Sequence, residues 1–130
     1  MKLARFLFFA TTLALLAASG ITFAHHGSAA YDMTKLVTVQ GTVTGYEFVQ
    51  PHVLVYLDVK DNNGNIEKWL GESNTPNIVA RSGWTRNSLK PGDQITMVGY
   101  RAKNGARDLR LEKVILPNGQ ELNSHWGGVY

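Results

Sequence analysis

Two adjacent histidines, His25 and His26, stand directly behind a segment built like a secretory leader. A cut after Ala24 leaves a mature chain that begins His25-His26-Gly27. The new N-terminal amine then lies within chelating reach of two imidazoles. A primary amine is a good ligand once deprotonated, and an α-amino pKa of about 8 makes that form accessible. An N-terminal His can hold one ion through its amine and Nδ1. Alternatively, His26 can bind together with the amine and its own backbone nitrogen. Either arrangement needs one or two further donors from a folded scaffold. Imidazole and amine nitrogens suit Cu(II), Ni(II) and Zn(II), and copper leads in affinity order. His52 is the best candidate to complete the set, because Pro51 fixes the backbone just ahead of it and His52 opens a strand. The competing role for His52 is a strand-edge residue that holds a loop by hydrogen bonding, and for His25 and His26 a solvated tail. Met33 and Met97 are thioethers that could serve Cu(I), although such residues more commonly pack. The fourth histidine, His125, falls in a Gly-rich tail that reads as mobile and is left out of the candidate set.

Other chemistry is sparse. The chain has no Cys, which excludes a thiol nucleophile, every disulfide and a lipoprotein anchor. No Gly-x-Ser-x-Gly, His-Glu-x-x-His or P-loop occurs. Glu47, Asp58, Glu67 and Glu72 are scattered along predicted strands and read as solvated faces, not as a paired acid and base. Trp69 and Trp84 read as core or helix-packing residues, and Tyr31 as a hydrophobic anchor.

The leader has three parts: Lys2 and Arg5 in front, an apolar run from Phe6 to Ala18, and Thr22-Phe23-Ala24 with small residues at −3 and −1 of the cut. The run contains Ser19, Gly20 and Thr22 even when extended to Ala24, which is short of the roughly 20 apolar residues of a spanning helix. A soluble periplasmic or secreted protein is the expectation, with no stable membrane anchor after cleavage. The full chain has 13 basic and 10 acidic residues. Losing Lys2 and Arg5 leaves 11 against 10, a net of +1, so the basic balance gives no argument for nucleic acid. The mature 106 residues suit one domain with one modest core.

Residues 25–34 have no apolar period and read as an N-terminal arm anchored by Tyr31. From Lys35 to Tyr46 the chain alternates, with Val37, Val39 and Val43 on one face and threonines on the other. This is a strand, and Gly41 and Gly45 inside it imply sharp coiling. A second strand follows from His52 to Lys60, with Val53, Val55, Leu57 and Val59 sharing a face. Asp61-Asn62-Asn63-Gly64 is a turn, and Ile66 to Gly71 is a third strand. Thr75-Pro76 reads as N-cap and first helical residue, and Asn77 to Ser82 as one or two helical turns stopped by Gly83. Strands at Gln94–Arg101 and Leu109–Leu116 complete the pattern, the first launched by the Lys90-Pro91-Gly92-Asp93 turn and the two joined by Lys103-Asn104-Gly105. The reading is an all-β domain with one short helix: a five-stranded OB-like barrel over residues 35–122, preceded by an arm (25–34) and a signal peptide (1–24), and followed by a tail (123–130). A seven-stranded sandwich needs more strands than are visible.

The mature chain resembles a family of small bacterial periplasmic proteins that lacks an assigned function. The residues carrying the resemblance are His25-His26-Gly27, Tyr31-Asp32, Gly41-Thr42-Val43, Pro51-His52, Trp69, Gly83-Trp84-Thr85 and Leu89-Lys90-Pro91-Gly92-Asp93. Gln50 stands where the family usually has Asn, which moves the amide by one methylene. The resemblance implies fold and location and supplies no activity.

Three functions follow as expectations. The first is an exported periplasmic metal-binding protein, a copper carrier or sensor-like module, with His25, His26 and His52 as ligands. The second is a non-enzymatic binding module for a peptide, sugar or partner protein, using Tyr46, Phe48 and Tyr56 on the barrel's open face. The third is an oxidative metalloenzyme built on the N-terminal chelate, for which no substrate groove is legible.

Overall fold

The computed structural model describes residues 27–126. The leader and both N-terminal histidines therefore lie outside the described residues. A short 3-10 turn, Ser28–Ala30, leads into six strands: β1 (Tyr31–Glu47), β2 (Leu54–Lys60), β3 (Ile66–Glu72), β4 (Gln94–Ala102), β5 (Asp108–Ile115) and β6 (Glu121–Asn123). One helical turn, α1 (Pro76–Val79), continues as a 3-10 turn, Ala80–Ser82, between β3 and β4. No described helix is long and apolar enough to cross a membrane.

The sheet order is β3-β2-β1-β4-β5-β6, and an added pairing of β3 with β5 closes the first five strands into a ring. That closing pair is parallel, with Leu70 opposite Asp108, Gly71 opposite Leu109 and Glu72 opposite Arg110. The other pairs are antiparallel. This is the expected OB-like, barrel-like ring, with β6 as a sixth strand outside it.

Strand β1 serves two neighbours in turn. It pairs with β4 through Thr42 and with β2 from Thr42 to Glu47. At the crossover a Cβ on Gly41 would strike the backbone oxygen of Asp58, so no side chain fits there. The strand starts four residues earlier than its alternation implies. Tyr31 already pairs with Ala102, and Leu36 with Tyr100, so the chain between them bulges away from the ladder. A further bulge, where Lys113 and Leu111 of β5 pair with the adjacent Val98 and Gly99 of β4 and leave Glu112 unpaired in that ladder, lets both Leu111 and Val114 face inward despite their odd spacing.

The core runs through the ring: Val43, Val53, Val55, Leu57, Ile95, Met97, Leu109 and Leu111 are buried inside it, and Val79 and Trp84 close one end. Each fully buried Leu of this set stabilises the fold by roughly 1.5–3 kcal/mol. α1 starts at Pro76, as expected, but Thr75 makes no side-chain capping bond. Its backbone N–H instead donates to the Asn74 side chain at 2.8 Å. The helical stretch ends at Gly83, whose φ of 88° is the left-handed conformation that the stop signal implied.

The C-terminal residues correct the sequence reading. Asn123, expected to begin a mobile tail, ends β6, and Leu122 and Ser124 are fully buried. The Ser73 and Ser124 hydroxyls bond at 2.7 Å, and the Trp84 indole N–H donates to the Asn123 carbonyl at 2.9 Å. Chain through Trp126 is thus fastened to the barrel.

Candidate functional site

His52 lies just before β2, on a stretch that prolongs the β2–β3 ladder. The Val53 N–H donates to the Asn74 carbonyl (3.2 Å), and the Ser73 N–H to the Val53 carbonyl (2.8 Å). Alternation sends Val53 into the core and places His52 on the outer face with Glu72. There His52 Nδ1–H donates to Glu72 Oε1. Both side chains are about three-quarters buried (22% and 26% exposed), so the contact is shielded from bulk solvent. A carboxylate holding Nδ1–H fixes the ring and its tautomer, and directs Nε2 to any metal.

The β3–β5 register brings further groups to the same face. Arg110 lies beside Glu72 and Asp108 beside Leu70. The Arg110 guanidinium carbon sits 4.2 Å from the centre of the Trp126 ring. That ring and the His52 ring form a T-shaped pair, with centroids 5.5 Å apart and planes at 86°. The Trp126 indole N–H donates to the Leu111 carbonyl. Tyr31, at the start of β1, is buried, and the Asp108 carboxyl is close enough to raise its pKa. Met33, on the bulge after Tyr31, puts its Sδ 3.7 Å from Arg110 Nη1.

These residues surround a cavity of about 80 Å³ lined by Gly27, Tyr31, His52, Glu72, Arg110 and Trp126 among others. A water takes about 30 Å³ in the liquid, so the space suits an ion with few companions and is far below the size of an organic-ligand pocket. Glu72 and Asp108 both bring carboxyl groups to this side of the β3–β5 pair. Burial, then the charge of Glu72, raises the Asp108 pKa above its ordinary value, and the nearby Tyr31 hydroxyl offsets part of the rise. Asp108 Oδ1 is buried and has no hydrogen-bond partner. Burial also raises the Tyr31 pKa, helped by the nearby Asp108 and Glu72 charges and opposed by Arg110.

Of the three expected ligands, the described residues contain His52 alone. His25 and His26 lie outside them, but Gly27, covalently next to His26, lines the cavity that His52 lines. Among the described residues no cluster of three or more His, Asp or Glu side chains could hold a metal. Met97 is fully buried in the core, a packing residue as the common reading of thioethers has it. His125 is held in place: its carbonyl accepts a hydrogen bond from the Asn74 amide at 3.0 Å, and its φ is 51°. Glu72, expected on a solvated face, is instead the partner of His52. The other three acids do lie on outer faces, paired with Tyr56, Lys68 and Arg107. Sequence offers no cue for the His52–Glu72 contact beyond strand register, because 20 residues separate the two.

The aromatics of the alternative reading are largely committed to packing. Tyr46 stacks on Trp84 with ring centres 6.4 Å apart and donates its hydroxyl to the Thr85 carbonyl at 2.7 Å. Burial pushes its pKa up to about 12. Phe48 packs against the core, with Arg86 5.9 Å over its ring. Tyr56 lies over Gly45 and donates to Glu47 at 3.0 Å. A groove of about 540 Å³ on this sheet is lined by Gln40, Thr42, Thr44, Asp58, Lys60, Ile66 and Gln94, among others.

Residues 13–110 match the model of a family described as a family of unknown function (DUF6152). No curated protein matches the chain.

Proposed function

Since the chain belongs to this family of unknown function, DUF6152, we propose a role from the site itself: an exported periplasmic metal-binding protein, with copper as the ion. The N-terminal amine, His25 and His26 supply nitrogen donors, and His52 supplies one from the barrel. The observation that carries the reading is that Gly27 and His52 line one small cavity. His26 is the covalent neighbour of Gly27 in the sequence. The Glu72–His52 contact supports it further, since a carboxylate behind a ligating imidazole orients the ring and raises its basicity.

Export supports the chemistry and is required by it. Only removal of residues 1–24 turns His25 into a chain start with a titratable amine. The test is a Cu(II) titration of protein beginning at His25, beside H52A and beside protein with one residue added ahead of His25. Weakened binding in both variants supports the ligand set. Unchanged affinity in the extended protein counts against amine ligation, and unchanged affinity in H52A removes the barrel's part.

A second reading is a binding module for a peptide, sugar or partner protein. The groove lined by Thr42, Asp58 and Lys60 favours it, because its volume falls within the range of ligand sites and its lining offers amides, hydroxyls and charges. Loss of partner capture in Tyr56→Ala but not in His26→Ala would favour this reading over the first.

A further inference from the structure

We propose that the place where the β4–β5 turn meets the start of β1 is a binding site for a small phosphomonoester, held by Arg101, Lys103 and Lys35. A pocket of about 350 Å³ opens there, lined by Asp32, Lys35, Val37, Arg101, Ala102 and Lys103. It shares no lining residue with the cavity of His52, so this site is independent of the copper reading.

The sheet register builds the pocket. The Lys103 N–H donates to the Ala30 carbonyl at 2.9 Å, and Tyr31 pairs with Ala102, which brings the turn after β4 against the start of β1. The next pairing is Leu36 with Tyr100, and the residues between bulge off the ladder. Lys35 stands on that bulge and Lys103 on the turn. The charges of both reach one carboxylate, Asp32, whose pKa is lowered first by hydrogen bonds from Thr34 and further by Lys103 and Lys35. Arg101 is the fixed part of the site. Its Nε donates to the Ala106 carbonyl at 3.0 Å and its Nη2 to the Gly105 carbonyl at 2.7 Å. Its guanidinium carbon lies 5.2 Å from the centre of the Trp69 ring. These contacts hold the guanidinium without neutralising it, and they leave Nη1 as a donor. A group already held in place loses little freedom when it binds.

The charge balance selects the ligand. Among the described residues Lys68, Lys90, Arg107 and Lys113 each have a carboxylate oxygen within 3.1 Å, whereas Arg101, Lys103 and Lys35 form no ion pair. Glu67, which accepts the Trp69 indole N–H, is committed to Arg107. Asp32 accepts the Thr34 N–H at 3.1 Å and the Thr34 hydroxyl at 2.6 Å. Three cations against one carboxylate leave the lining with a net charge of +2. A phosphomonoester carries about −1.5 to −2 at pH 7 and offers three strong acceptor oxygens. A carboxylate or a phosphodiester brings only a single negative charge. The volume falls within the range of small-molecule sites, and Val37 supplies an apolar wall for the organic part of the ligand.

Calorimetric titration of the purified protein with glycerol phosphate tests this, beside acetate and beside vesicles of phosphatidylglycerol. Glycerol phosphate should bind saturably and several times more tightly than acetate. K35Q/K103Q changes two exposed side chains and should bind about 2- to 30-fold more weakly, since each exposed charge contact is worth about 1.5- to 5-fold. K35R/K103R keeps both charges and should bind like the parent. R101Q should weaken binding roughly tenfold or more, the effect of a charge-assisted hydrogen bond. Because Arg101 also braces the turn, the lysine variants decide if R101Q melts early. Equal affinity in parent and K35Q/K103Q, equal loss in K35R/K103R, or no preference over acetate overturns the assignment. Capture on the vesicles without binding of glycerol phosphate also overturns it, in favour of a membrane surface.

Discussion

Replacing Glu72 by Gln removes one negative charge and keeps the shape of the side chain. In the parent, the carboxylate receives His52 Nδ1–H in a setting where neither side chain is more than about a quarter exposed. The contact is thus a charge-assisted hydrogen bond with little solvent screening, roughly twice as strong as its neutral counterpart. Loss of such a partner behind a ligating imidazole costs about 10- to 100-fold in metal affinity, or about 1.4–2.7 kcal/mol. E72Q should therefore weaken Cu(II) binding by that factor in a competition titration, with the fold intact by circular dichroism. A second consequence is independent of metal. The Glu72 charge is the second cause, after burial, of the raised Asp108 pKa, and it also raises that of Tyr31. Both should move down in E72Q, Asp108 towards its ordinary 3.8, as followed by carboxyl and tyrosine NMR signals against pH. Copper affinity within about twofold of the parent, where the outer-shell effect is at least tenfold, would refute the role given to Glu72. An unmoved Asp108 would refute the electrostatic description of the face.

Asp108→Asn should flatten the stability profile on its acid side. Its folded pKa is raised, so the group's contribution is fully present below the unfolded value of 3.8 and is lost as pH rises through the folded value. The variant, lacking that loss, should be at least as stable as the parent at pH 7 by urea denaturation. Leu122→Ala should cost about 2–5 kcal/mol, because Leu122 is 1% exposed and packs in the core from β6; a cost near zero would mean that β6 is not part of the folded unit. Gly99→Ala should cost about 1–3 kcal/mol or more, since a Cβ there would meet the backbone oxygen of Arg110, which cannot yield as a side-chain end can. Its destabilisation is read from the same denaturation curves.

Most of the barrel was legible because its signals are local. The alternation of Val53, Val55 and Leu57 places a strand and its inner face, and each of these residues is buried. Gly64, Gly83, Gly92, Gly105 and Gly119 all adopt positive φ where turn or stop signals stood. The parts that escaped the sequence depend on register or on brevity. β6 is three residues long, too short to show a period, and its one inward residue, Leu122, follows a turn that reads equally well as the start of a tail. The early start of β1 is masked because Asp32 to Lys35 bulge off the ladder and keep no alternation. The face around His52 combines β1, β3, β5 and the residues after β6 through Trp126, and the pairing of β3 with β5 brings Asp108 and Arg110 to it. No spacing within the chain encodes that parallel contact. His52 itself was visible as a histidine behind a proline; its carboxylate and its tryptophan were not.

The export-dependent copper site is tested most directly on protein recovered from the periplasm of cells grown with copper, by intact mass of the N-terminus together with metal content. A chain that starts at His25 and carries close to one copper per molecule is the expected result. A chain that starts elsewhere, or one that starts at His25 and holds no copper, contradicts it.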